Sequence, residues 1–216
     1  IQISGPTRSA ILRRQLFSWE YLLLTFTISL YMLKLNFYIS TIKEQLTSLA
    51  SPEFEDNIQS LLEYFNWALP IGGIVAMPFV GILLDKCSHF ISFAVLGGFG
   101  IAFSLFGMMN FLPIQVATIN IFSIMRPLLY TLGNDYSAKS FGFITFGRVY
   151  GIMNLTAAVV NTLQYGLAWI SMDVTNGSFF VVNLLLLLCT IIALVFPMYL
   201  KYTSTPERRR FLTGGV

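Results

Sequence analysis

The chain has 216 residues, of which 56% are hydrophobic and 11% charged, with a net charge of +3. A soluble domain carries about 25% charged residues, so this composition excludes a water-facing globule and makes the bilayer the expected solvent. Two cysteines and one histidine exclude a disulfide framework and a His/Cys metal cluster, and no basic, aromatic-studded face suggests nucleic acid.

Residues 1–17 are polar and basic and read as a cytoplasmic segment. No signal-peptide cleavage site follows, and a start at Ile1 instead of Met reads as a cut from a longer chain. About 20 apolar residues cross the hydrocarbon core as a helix. Six stretches meet that measure, at roughly 18–41, 64–84, 90–110, 113–133, 147–171 and 177–200. An open strand would leave backbone groups unpaired in lipid. A membrane β-barrel needs alternating segments, and Leu184–Leu188 does not alternate. The predicted fold is therefore all-α, a polytopic six-helix bundle over 18–200 with a cytoplasmic basic tail, 201–216.

Between the first two spans lies the one sizeable outer loop, about 42–63, where Ser51 and Pro52 are placed to cap and open a short surface helix. Asn176-Gly177-Ser178 matches a glycosylation sequon but reads better as a tight Asn-Gly turn. Cys87 and Cys189 differ too much in depth to bridge. In the tail, Arg208, Arg209 and Arg210 suit anionic lipid.

Loop charges set the orientation. Arg8, Arg13, Arg14, Lys86, Lys139, Arg148, Lys201 and the three tail arginines share one side. Lys43 is alone on the other side, among Glu44, Glu53, Glu55, Asp56, Glu63 and Asp173. Both termini are expected in the cytoplasm, in a plasma membrane or an organelle membrane such as that of the vacuole.

Gly81-Ile82-Leu83-Leu84-Asp85-Lys86 closes the second span. It resembles the loop signature of the major facilitator superfamily, G-x-x-x-D-[RK]-x-[GS]-[RK], in the degraded form found in the carboxy-terminal half, with Ser88-His89 in place of the small and second basic residues. Three further segments are similar to the branch of system-L-type carriers of large neutral amino acids, as a fungal-type member: Arg126-Pro127-Leu128-Leu129-Tyr130, then Phe146-Gly147-Arg148-Val149-Tyr150-Gly151, then Leu163-Gln164-Tyr165. Lys34-Leu35-Asn36-Phe37-Tyr38 resembles that branch's Arg-Leu-x-Phe-Tyr. The resemblance implies one half of a twelve-helix carrier. An amino-terminal six-helix half would lie in the same polypeptide, with the substrate between the halves. Gly81, Asp85 and Lys86 would form a cytoplasmic loop latch, and Arg148 would pair with a carboxylate across the halves.

Apart from any family, residues costly in lipid need a role. Lys34 reads in the outer half of the first span, and Arg126 about two turns above the inner end of the fourth. Each either lines an aqueous cavity or snorkels or pairs structurally. No acidic residue reads deep in a span, which favours facilitated over proton-coupled transport. Asn154, Asn161 and Tyr165 share a face of the fifth span, with Gln164 oblique. Such a stripe either lines a path or bonds neighbouring helices. Asn36, Tyr38, Trp67 and Tyr130 complete the cavity candidates. Pro70, Pro78, Pro127 and Pro197 read as bends, and Gly97-Gly98-Phe99-Gly100 and Gly147-x3-Gly151 as packing faces.

No catalytic constellation, cofactor site or metal site is visible, so an enzyme is not expected. The expected function is alternating-access transport of a small polar solute, best matched by large neutral amino acids. The alternatives are a self-sufficient six-span protein that dimerises into a pore or carrier, and a non-transporting membrane scaffold.

Overall fold

The computed structural model describes residues 8–49, 55–109 and 111–203, all of whose regular structure is helical. The Ser51-Pro52 helix start and the arginines of the tail lie outside the described residues. In chain order the helices are α1 (Arg8–Leu16), α2 (Trp19–Leu49), α3 (Glu55–Lys86), α4 (His89–Gly107), α5 (Leu112–Phe141), α6 (Phe146–Asn161), α7 (Leu163–Trp169), a π-helical turn Ile170–Val174, α8 (Phe180–Ala193) and α9 (Val195–Thr203).

Among the described residues, five helices are long and apolar enough to cross a membrane: α2, α3, α4, α5 and the α8–α9 pair. The expected fifth span is not among them: its residues form a helical path over 146–174 in three pieces. Thr162 keeps helical dihedrals, φ −62° and ψ −22°, while its N–H bonds Val159 and its carbonyl takes Tyr165. That is a tightened i→i−3 turn. The widened turn Ile170–Val174 then ends the path. In α8–α9 the joint at Leu194 sits three residues before Pro197, whose missing N–H leaves the Ala193 carbonyl without its helical donor. Pro70, Pro78 and Pro127 interrupt nothing: α3 and α5 run helically through them.

The helices overrun the predicted spans where polar residues continue a helix past the apolar run. α2 extends to Leu49 and α5 to Phe141, so much of the expected outer loop and of the fourth-to-fifth loop is helix. Side-chain caps set several ends. Ser18 Oγ accepts from Tyr21 N at 3.2 Å, and Ser88 Oγ accepts from Ile91 N. Gly142, at φ 78°, ends α5 with its N–H on the Ala138 carbonyl, a conformation that favours glycine. The Asn176-Gly177 turn is also left-handed, at φ 51° and 82°.

α2 is the axle of the bundle, packed against α5, α6, α7, α8 and α9. In its membrane window 61% of residues are buried, against 11% for α3, which rests mainly on α5. The core gathers Tyr38, Phe65, Phe103 and Phe122 at one level, and Phe93, Tyr136 and Phe196 at another. Close approach of α4 to α2 and α8 depends on Gly100, where a Cβ would lie 2.7 Å from Tyr31 and 2.9 Å from Thr190. Gly97 is similarly hemmed in by Leu194. Of the expected packing faces, Gly98, Gly147 and Gly151 meet nothing within 4 Å among the described residues, because α4 and α6 turn those positions outward. Cys87 and Cys189 are free thiols.

Candidate functional site

The two basic residues inside the spans occupy unlike places. Lys34 lies at the midpoint of α2, which continues to Leu49. It is 3% exposed. Its Nζ donates to the Gly100 carbonyl at 2.5 Å and to Thr190 Oγ1 at 2.9 Å, and lies 5.4 Å from the Phe103 ring centroid. Lys34 therefore joins α2 to α4 and α8 inside this bundle, and no carboxylate is among its partners.

Arg126 is likewise at the midpoint of its helix, about four turns from the end of α5 at Phe141. It is half-buried and lines a recess of about 420 Å³ between α3 and α5. Leu69, Pro70, Gly73, Ile74 and Met77 form the α3 wall, with Ser123, Pro127 and Tyr130 beside Arg126 on α5. Gly72 makes this seam possible, since a Cβ there would lie 2.5 Å from Ser123 Cβ. Among the described residues Arg126 has no hydrogen-bond or ion-pair partner: the ion pairs at 4 Å or less are His89–Asp135 and Lys139–Asp135. Further along the same seam, Tyr64 donates to Asn120 Oδ1 at 2.7 Å.

Asn36 and Asn161 come together on the other side of α2. Asn36 Nδ2 donates to Asn161 Oδ1 at 2.8 Å, and Asn161 Nδ2 donates back to the Ala157 carbonyl at 2.7 Å. The fifth-span stripe thus divides. Asn161 turns into α2, Asn154 and Gln164 are half-buried, and Tyr165 is exposed beyond the tightened turn at Thr162. Tyr38 packs in the aromatic core, whereas Trp67 is exposed on α3.

At the loop motif, Asp85 and Lys86 are exposed and make no ion pair among the described residues. The pairing there belongs to residues that sequence reasoning did not name as site candidates. Asp135 holds His89 Nε2 at 3.1 Å and Lys139 Nζ at 2.8 Å. Its neighbour Tyr136 donates a short hydrogen bond to Glu20, which is 8% exposed in the first turn of α2. This cluster ties the starts of α2 and α4 to the last turns of α5. The sequence signal for it was Asp135 and Lys139 at i, i+4 spacing, hidden by ending the fourth span at 133.

A second hollow, of about 880 Å³, lies between the end of α2, the end of α4 and the start of α8, lined by Lys43, Glu44, Ser48 and Asn183. No predicted site residue falls in it.

The chain is 32% identical to Protein FMP42 of Saccharomyces cerevisiae over 192 residues, covering 88% of this chain and 37% of that protein. It is 22% identical to equilibrative nucleobase transporter 1 of Bos taurus, over 74% of this chain and 37% of the relative. It is also 22% identical to large neutral amino acids transporter small subunit 3 of Homo sapiens, over 98% of this chain and 46% of the relative. The chain spans less than half the length of each of these relatives. No family model matches it, and no solved structure does. With its apolar helices and its likeness to membrane transporters, the chain is an integral, multi-pass membrane protein.

Proposed function

We propose that this chain is the carboxy-terminal six-helix half of a major facilitator carrier of the system-L-type branch. It would move large neutral amino acids by alternating access against an amino-terminal half in the same polypeptide. Both termini would lie in the cytoplasm. The observation that carries the reading is Arg126. A guanidinium at mid-helix costs a few kcal/mol in lipid, and nothing in the described residues compensates it.

A substrate carboxylate supplies the missing partner, in the bidentate geometry to which a guanidinium is suited. The apolar α3 wall of Leu69, Ile74 and Met77 suits a branched or aromatic side chain. Pro127 has no N–H for the Ser123 carbonyl, which leaves an acceptor on the Arg126 wall for the substrate ammonium. Transport then needs no covalent step. Each half contributes one wall, and rocking exposes the recess to either side in turn. Asn36 and Asn161 hold α2 against α6, so the two helices move as one body.

The two named transporters among the relatives carry different substrates, so a competition assay tests the reading. The complete natural polypeptide is reconstituted in vesicles and offered labelled leucine or labelled adenine. Saturable leucine uptake that is lost in Arg126→Ala is the expected result. Adenine uptake without leucine uptake would replace the amino-acid assignment. Background uptake of both by well-folded protein would end it.

A further inference from the structure

A basic and aromatic corner at the α1 end of the bundle lies outside the Arg126 recess, and it offers Arg148 a ligand other than the carboxylate across the halves that the resemblance implies. α1 packs against α2 and α6. It is fixed there by Gln15, which is fully buried and donates Nε2 to the Phe141 carbonyl at 2.8 Å. Leu12 and Leu16 pack on the main core. With that side anchored, α1 turns Arg13 and Arg14 outward. Beside them, Phe17 is 76% and Trp19 70% exposed, and Phe143 in the α5–α6 connection is 84% exposed. Arg148 is exposed in the first turn of α6, where the helix dipole disfavours a cation.

The nearby carboxylates are already engaged: Glu20 accepts from Tyr136, and Asp135 holds His89 and Lys139. Arg13 and Arg148 have no partner among the described residues. The exposed aromatic rings continue the apolar outer surface of α2 and α6, where Leu22, Phe26, Ile152 and Leu155 are also exposed. Rings at that level sit among headgroups, which places the adjacent guanidiniums beside lipid phosphates.

We propose that α1 and the first turn of α6 form a docking site for anionic phospholipid headgroups, with Arg13 and Arg148 on the phosphates and Phe17, Trp19 and Phe143 among the upper acyl chains. α1 is then an interfacial strap that links the lipid's charge to the entry of α2, the helix on which the bundle is built. The site does not depend on which solute is carried.

The test uses the complete natural polypeptide in mixed micelles, with native mass spectrometry measuring binding of phosphatidylglycerol relative to phosphatidylcholine. At about fivefold per arginine, the Arg13→Gln/Arg148→Gln double variant is expected to lose about 25-fold of its preference for phosphatidylglycerol. Binding of phosphatidylcholine and the unfolding temperature in phosphatidylcholine alone should not change. In vesicles of dibrominated phosphatidylcholine, the fluorescence component removed by Trp19→Phe should be quenched. An unchanged lipid preference in the double variant would overturn the proposal. So would equal competition by inorganic phosphate, which would mean a soluble anion is the ligand. Equal destabilisation in neutral and anionic lipid would also overturn it, since the arginines would then be contacting the rest of the polypeptide.

Discussion

Lys34 and Arg126 are both cations at the midpoint of a membrane-length helix, yet the fold treats them in opposite ways. Lys34 meets a backbone carbonyl, a threonine hydroxyl and an aromatic face, all from helices of this bundle. Arg126 borders an open recess and has no partner among the described residues. A buried polar group that is fully partnered rigidifies a core, whereas one left unpaired is a standing cost unless something else binds it. The first pattern serves the architecture of the bundle, and the second is the one we propose as a ligand site.

Substitutions separate the two roles. The largest effect is expected from Arg126→Ala in the complete polypeptide. Losing a charged hydrogen-bonding partner of about 1.5–3 kcal/mol should cut leucine uptake about 10- to 100-fold while the unfolding midpoint in detergent stays put. A large drop in stability with uptake per folded molecule intact would reverse the assignment.

Lys34→Ala should do the opposite, destabilising the bundle by about 2–4 kcal/mol through the emptied space and the acceptors it strands. Lys34→Met fills the space and should cost much less. Chemical unfolding of the two variants side by side measures the difference, and equal losses would argue against the packing role.

Gly100→Ala should cost about 1–3 kcal/mol by overpacking Tyr31 and Thr190. Gly151→Ala, which faces open space among the described residues, should stabilise this bundle by up to about 1 kcal/mol. The smallest effect is expected at the Asn36–Asn161 hydrogen bond, for which a double-mutant cycle should return about 0.6 kcal/mol of coupling. A value near zero would detach α6 from α2 as a mechanical unit.

The two cations are legible in the sequence as costly residues, but their roles are not. Sequence reasoning leaves both between cavity and structural pair. It also stops both helices where the apolar run stops, whereas each residue lies at the midpoint of a longer helix. A helix inside a bundle continues as long as its backbone bonds are met, so α2 and α5 carry polar residues about two turns past the apolar stretch. The Asp135–His89–Lys139 and Tyr136–Glu20 contacts escape a sequence reading for the same reason. Asn36 and Asn161 read as separate cavity candidates, and their pairing across 125 residues of sequence has no periodic signature.

By itself, the sequence determined the solvent and the class of fold. Long apolar runs without alternation can satisfy their backbone in lipid only as helices, and that holds whatever their arrangement. Only the tertiary structure decided which polar side chains are consumed inside the bundle and which remain available. That depends on the neighbouring helix each one faces, as when α4 and α8 offer Gly100 and Thr190 to Lys34 while α3 offers Arg126 an apolar wall.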